Sequence, residues 1–162
     1  MIIRKYSPDD SEQLVSLIAD FRVFLASLKS LSKNPDIKSA RVELEDYLSD
    51  RYRIYIADDE DSIIGYLVCK IDQDTVWAEQ LYVTPSMRRK GIGTALYTEA
   101  EFLADSLGGN SVYNWVHPNN NEIIHFLKKR GIDVLNLIEL RKQWKTEMIT
   151  TKIDVGDNQF KY

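Results

Sequence analysis

Trp77-Ala78-Glu79-Gln80-Leu81-Tyr82-Val83-Thr84-Pro85-Ser86-Met87-Arg88-Arg89-Lys90-Gly91-Ile92-Gly93-Thr94 is the stretch that decides how the rest of the chain is read. Thr75 to Val83 is rich in aromatic and β-branched residues and reads as a buried strand. A basic turn follows. Beyond it, Ile92, Leu96, Ala100, Leu103 and Leu107 recur at helical spacing, and Gly108-Gly109-Asn110 stops the helix. A strand, a glycine turn and a helix start together aim backbone N–H groups at something negative. Gly91 and Gly93 keep the backbone bare where an anion must come close. Arg88, Arg89 and Lys90 add positive potential, and Thr94 offers a hydroxyl in the first helical turn. Two other phosphate motifs fail on spacing. A dinucleotide fingerprint needs a glycine where Leu96 stands, and a P-loop needs a Gly-Lys-Ser/Thr that is absent.

Working back toward the N-terminus, residues 52–57, 62–71 and 75–83 predict an antiparallel meander of three strands. The acidic run Asp58-Asp59-Glu60-Asp61 reads as a hairpin tip, and Gly65 marks a bulge. Before them, residues 2–6 predict a first strand, and Ser7-Pro8-Asp9-Asp10 predicts a helix start. Leu14, Leu17, Ile18, Phe21 and Leu25 predict one helix. A second is expected over 36–49, with Val42, Leu44, Tyr47 and Leu48 on its apolar side. Lys38, Arg41, Glu43, Glu45 and Asp46 then form its solvated face.

Working forward, Ser111 to Val116 predicts a strand. Joined to the fourth strand through a helix, it should lie parallel to it. His117-Pro118-Asn119-Asn120-Asn121 leads into a helix closed by Lys128-Lys129-Arg130-Gly131. Val134 to Leu140 predicts a further strand. Glu147 to Val155 predicts another, with Gly156-Asp157-Asn158 turning into a short final segment.

At 162 residues the chain has the length of one domain, able to bury roughly two-thirds of its unfolded surface. Apolar residues make up 44% and charged residues 28%, as in globular proteins. The net charge of −4 argues against a nucleic-acid partner held by overall charge. Cys69 is the only cysteine, so no internal disulfide and no cysteine metal cluster is expected. No stretch approaches the ~20 apolar residues of a membrane span, and Met1 to Tyr6 is too short an apolar run for a signal peptide. The cytoplasm is the expected location, with no membrane partner and no metal. A homodimer is left open.

Leu81-Tyr82-Val83, Pro85 and Arg88-Arg89-Lys90-Gly91-Ile92-Gly93 resemble motif A of the GCN5-related N-acetyltransferases, the GNAT family. Its pattern, Gln/Arg-x-x-Gly-x-Gly/Ala, is met by Arg88, Gly91 and Gly93. The order of elements agrees independently over about residues 2–142, and residues 143–162 form an extension without an assigned role. The resemblance implies a single N-acetyltransferase domain over 1–162. It also implies a mixed α/β fold: a mostly antiparallel sheet, strands four and five parallel and splayed, and about four flanking helices.

The resemblance also implies the chemistry of individual positions. The amides of Arg88 to Thr94, including Ile92, would hold the pyrophosphate of acetyl-CoA. The backbone of Leu81, Tyr82 and Val83 would pair with its pantetheine arm, and one amide there would polarise the acetyl carbonyl. Asn120 matches the helix-opening Asn that contacts the pantetheine, with Asn119 and Asn121 alternatives one residue away. Helix capping accounts for the same asparagines and is compatible with that contact. Glu79 is the implied general base, directly or through water; a Glu paired with a nearby cation is the competing reading. One departure stands out. The family's usual acid is a Tyr seven residues after the helix-opening Asn, and that position is Leu127, or Phe126 if counted from Asn119. Tyr82, Tyr113, His117 and His125 are the remaining candidates. Trp77, Trp115 and Trp144 read as core or cleft wall. The expected function is acetyl transfer to a primary amine: a small molecule, a lysine or a protein N-terminus. The alternative, motivated by the missing Tyr, is a non-catalytic coenzyme A-binding module.

Overall fold

A computed structural model describes residues 1–60 and 62–162, so Asp61 at the acidic hairpin tip lies outside the described residues. The chain forms two compact units, Met1–Phe126 and Leu127–Tyr162.

The first unit is built on a five-stranded sheet of β1 (Ile2–Lys5), β2 (Tyr52–Asp59), β3 (Ser62–Asp72), β4 (Thr75–Val83) and β5 (Val112–Asn114), in that spatial order. All neighbours are antiparallel except β4 and β5, which are parallel. The β2–β3–β4 meander and the parallel β4–β5 pair are those expected from the sequence. Helices α1 (Ser11–Ser27) and α2 (Ile37–Tyr47) cover one face, where Leu14, Ile18, Leu44, Ile56, Tyr66 and Val68 form the core. Helix α3 (Ile92–Ser106) covers the other, burying Leu96, Tyr97 and Ala100. Covered on both faces, β3 is buried without a break from Ile63 to Cys69, which explains its continuous apolar sequence. Helix α4 (Asn121–Lys129) begins in the first unit and ends in the second.

The expected second helix is present, but its buried side differs. Ala40, Leu44 and Tyr47 face the core, whereas Val42 and Leu48 are each 55% exposed. The apolar residues of the sequence are split between two stripes. Asp36, whose side chain accepts from the Ser39 N–H at 3.0 Å, sets the start of the helix.

Two bulges shape the sheet. The register of β2 on β3 shifts between Ala57 and Asp58, beside Gly65. A Cβ at Gly65 would lie 2.8 Å from the Tyr82 carbonyl oxygen and 3.4 Å from Leu96 Cδ1. Gly65→Ala should therefore cost about 1–3 kcal/mol, read as a lower denaturation midpoint at constant slope. In the second bulge Gln80 pairs with Val68 and Ala78 with Cys69, which leaves Glu79 as the extra residue.

Arg4 ties the first strand to the first helix. Its guanidinium donates twice to Asp10, both at 2.7 Å, and once to Asp58 at 2.8 Å. Asp10 is 6% exposed and also accepts from the Ser7 N–H. The hydrogen bonds from Arg4 hold the Asp10 carboxyl below its ordinary value against the effect of burial. A depressed folded value means this stabilisation is present above about pH 4 and is lost as pH falls further. Arg4→Ala should cost about 2–3 kcal/mol at neutral pH and flatten that acid limb, as acid-unfolding curves of the two proteins would show.

Among the described residues the second unit carries the end of α4 and the hairpin of β6 (Lys152–Val155) and β7 (Asn158–Lys161), turned at Gly156 with φ 58°. The strand expected at Val134 to Leu140 is not formed. Nothing among the described residues pairs with it, and Val134 is 86% and Leu137 73% exposed. Its sequence has strand propensity, but a strand exists only with a ladder partner. The strand expected from Glu147 begins at Lys152.

Candidate active site

The basic turn enters α3 through two left-handed residues, Arg89 at φ 64° and Gly91 at φ 85°. The bond from the Ala95 N–H to the Gly91 carbonyl, 3.0 Å, closes the first turn of the helix. The amides of Ile92, Gly93 and Thr94 therefore precede the ladder and point out of the positive end of the helix. A Cβ at Gly91 would meet nothing within 4 Å, and one at Gly93 would meet Val83 and Phe126 only at 3.9 Å. The protein itself leaves this space open. Thr94, Arg89 and Lys90 are exposed beside it, with Lys90 Nζ 3.4 Å from Met87 Sδ.

Arg88 points elsewhere. Its Nε donates to the Val83 carbonyl at 3.1 Å and an Nη donates to Glu122 at 2.8 Å. The guanidinium also lies over the rings of Phe24 and Tyr82, 5.2 and 5.8 Å from their centroids. Its side chain braces the turn between the end of β4 and the start of α4, while its backbone remains part of the turn.

Next to the turn, β4 has an open edge. Its pairing with β5 covers only Val76, Trp77 and Ala78. The Thr84 N–H donates to the Ile64 carbonyl on β3 at 2.9 Å. Alternation along a strand then directs the Tyr82 amide toward β3 and the amides of Leu81 and Val83 toward the open edge. The Arg88 bond to the Val83 carbonyl lies on that same edge.

Glu79 sits where the pairing stops. Its Oε2 is buried and has no hydrogen-bond partner among the described residues. Buried polar atoms are nearly always satisfied, so one without a partner calls for an explanation. Its charge is one of the causes that raise the hydroxyl of Tyr47 on α2, a helix on the α1/α2 face of the sheet. The adjacent Gln80, 3% exposed, is fully engaged on that face. Its Oε1 accepts from Tyr66 at 2.8 Å, and its Nε2 donates to Tyr47 at 2.8 Å and to Glu43. Glu43 also accepts from Tyr47 at 2.7 Å and from the Arg22 guanidinium. Burial acts to raise the Glu43 carboxyl, but the bonds from Arg22, Tyr47 and Gln80 outweigh it and hold the group below its ordinary value. Burial, with Glu43 beside it, pushes the Tyr47 hydroxyl far above its usual range.

Glu43 is the residue that sequence reasoning misplaces. Its sequence context assigns it to a solvated face, yet its side chain is only 18% exposed. The available signal is its spacing from Tyr47, i and i+4 on one helix face.

The asparagines opening α4 are divided in their work. Asn120 Oδ1 accepts from the Ile123 N–H at 3.3 Å, so Asn120 caps the helix. Asn119 Nδ2 donates to the Leu28 carbonyl at 2.9 Å. His117 Nδ1 accepts from the Asn119 N–H at 3.2 Å, and burial together with Lys29 lowers its basicity. His125 is exposed, Tyr82 is packed beneath Phe21 and Tyr66, and Leu127 is buried.

A sequence model described as the acetyltransferase (GNAT) family matches residues 21–132. No curated protein matches the chain. Among solved structures, a mutant of the BH1408 protein from Bacillus halodurans superposes with a TM-score of 0.73 at 18% identity, covering 88% of this chain and 100% of that one. The aminoglycoside N-acetyltransferase AAC(6')-Iy in complex with CoA gives 0.66 at 20% identity, covering 88% and 100%. The PaiA N-acetyltransferase from Thermoplasma acidophilum in complex with coenzyme A gives 0.65 at 23%, covering 80% and 87%. At these identities the likeness speaks to the fold.

Proposed function

The chain belongs to the acetyltransferase (GNAT) family, and on that premise we propose that it transfers the acetyl group of acetyl-CoA to the nitrogen of a primary amine. The observation that carries the proposal is a coincidence of place. The β4–β5 pairing ends at Ala78, and the next residue is a bulged Glu79 whose buried carboxylate oxygen has no partner among the described residues.

The residues fit the co-substrate. The open space over Gly91 and Gly93, at the head of α3, suits a pyrophosphate held by the amides of Ile92, Gly93 and Thr94. Arg89 and Lys90 add charge at its rim, while Arg88 fixes the turn. The open edge of Leu81 to Val83 offers amides to an extended pantetheine arm, and Asn120, which caps α4, would contact that arm. Acetyl-CoA supplies the thioester carbonyl as electrophile. Glu79 takes a proton from the acceptor ammonium, directly or through water, so that the nitrogen can attack. One outward amide of β4 donates to the carbonyl oxygen as negative charge develops there. The nitrogen–carbon bond forms, the carbon–sulfur bond breaks with its electron pair leaving on the sulfur of coenzyme A, and the second nitrogen proton passes to that thiolate or to solvent.

The cytoplasmic setting, the absence of nucleic acid or membrane as acceptor, and one domain over 1–162 belong to the same reading. The net charge of −4 supports the exclusion of nucleic acid, and the length of 162 residues supports the single domain. No helix among the described residues is long and apolar enough to cross a membrane. One observation favours a second reading. The usual position of the acid holds Leu127, which cannot donate a proton; a coenzyme A-binding module without catalysis would have no need of one.

Thermal shift with acetyl-CoA, ATP and NAD, followed by thiol release over a panel of amines and peptides, tests the proposal. Preferential stabilisation by acetyl-CoA and amine-dependent thiol release are expected. Stabilisation without any amine-dependent release would favour the module. Preference for ATP or NAD would overturn both.

A further inference from the structure

Beyond Glu79, on the side away from the phosphate-binding turn, the sheet carries three aromatic rings. Trp77 of β4 lies 5.1 Å from Tyr113 and 4.9 Å from Trp115, centroid to centroid. Tyr113 and Trp115 are two residues apart and so share a face, and Lys70, paired with Trp77 across β3, lies over Trp115 at 5.8 Å. Lys70 and Trp77 are two pairs along from Val68 and Gln80, which face α1 and α2. With the bulge taking up one residue, they point to that same face. Glu79 is the bulged residue between Trp77 and Gln80 on β4, and its charge acts on Tyr47 of α2. Trp115 is 64% and Tyr113 38% exposed, a large apolar surface left open beside an unsatisfied carboxylate oxygen.

The cofactor does not account for this cluster. Between Val76 and Ala78 the sheet is closed by β5, so a pantetheine arm running along β4 from the turn must end at Glu79. Whatever lies over Trp77 comes from the acceptor's side. An apolar floor with one anionic group at its end is the make-up of a site for an amphipathic amine.

We propose that the Trp77–Tyr113–Trp115 cluster seats the acceptor, and that the acceptor is a primary amine carrying an aromatic or similarly flat apolar group roughly 7 Å, two strand residues, from its nitrogen. The ring stacks on Trp77 and Trp115 while the ammonium reaches Glu79. Lys70 already places a cation over Trp115, which disfavours a second ammonium at that end and so disfavours linear polyamines. This inference rests on the acetyl-transfer reading above.

The test compares arylalkylamines with n-alkylamines of equal length and with linear diamines and triamines. The expected order of kcat/KM puts the arylalkylamines first, by roughly tenfold or more. Trp115→Ala should raise their KM about tenfold with acetyl-CoA binding unchanged, and Trp115→Phe should restore most of it. Trp115 is exposed, so a shared melting temperature should confirm that these variants fold. Equal rates for aryl and alkyl amines, a preference for polyamines, or an unchanged KM in Trp115→Ala would each overturn the proposal while leaving acetyl transfer standing. Titration of an arylalkylamine against tryptophan fluorescence, with coenzyme A present, gives a readout independent of turnover. Saturable quenching abolished by Trp115→Ala supports the site even if the acetyl-transfer reading fails, and absence of quenching overturns it.

Discussion

Glu79→Gln should lower kcat by about a hundred- to ten-thousandfold, the usual span for a lost general base, while leaving acetyl-CoA affinity unchanged. Gln keeps the shape and removes the proton acceptor. The variant should be at least as stable as the parent. In the folded protein Glu79 keeps an oxygen buried without a hydrogen-bond partner among the described residues, so exchange for an amide forfeits no hydrogen bond at that atom. Loss of activity with no loss of stability separates this residue from its neighbours. Gln80 and Glu43 are fully bonded, and removing either should destabilise the protein. Stopped-flow turnover, a coenzyme A titration and a melting curve on the same preparation decide the matter. Undiminished turnover would show that Glu79 is not the base.

Gly93→Ala should separate cofactor binding from folding in the same way. The added Cβ would meet only ordinary contacts at 3.9 Å, and Ala in a first helical turn is favoured over Gly by about 0.5–1 kcal/mol. Stability should therefore hold or rise. Acetyl-CoA affinity should fall roughly tenfold to a hundredfold, since overpacking by a methyl costs about 1–3 kcal/mol where the phosphates must approach the amides. Gly91 makes a poorer probe. Its φ of 85° makes any L side chain strained there, by about 1–2 kcal/mol, so a binding loss could not be told from a folding loss. Calorimetric titration and a melting curve on Gly93→Ala read the two quantities separately.

Much of this architecture is legible from local signals. The meander, the parallel crossover and the glycine turn each follow from periodicity, turn chemistry and handedness, and each leaves its mark within about 30 residues of sequence. The long-range terms are not legible. Glu43 looks like any charged residue on a helix face; Tyr47 lies one turn along the same helix, but only tertiary packing brings Arg22 of α1 and Gln80 of β4 to it. Val42 and Leu48 look like core until tertiary packing selects the Ala40–Leu44–Tyr47 stripe. Val134 to Leu140 has the composition of a strand, but composition does not reveal whether a partner strand is at hand.

The site divides along the same line. The turn is readable because one short motif holds its glycines and its helix start together. The motif counts Arg88 among the cations that add positive potential at the turn, but its side chain braces β4 and α4, the latter through Glu122, 34 residues on. The bulge at Glu79 leaves no mark of its own in the sequence. It depends on how β3 and β4 align over their whole length, with Val68 opposite Gln80 and Cys69 opposite Ala78. That alignment, and the early end of the β4–β5 ladder, give the implied base its position at the end of the pairing.

The most direct test of acetyl transfer is a product balance. The protein, saturated with acetyl-CoA carrying an isotopically labelled acetyl group, is mixed with a primary amine, and labelled amide and free thiol are both counted by mass spectrometry. Acetyl transfer requires one labelled N-acetyl product for each thiol released, at a rate that depends on the amine. A protein that holds acetyl-CoA tightly yet forms no labelled amide above the enzyme-free rate, across arylalkylamines, alkylamines and peptides, would contradict it.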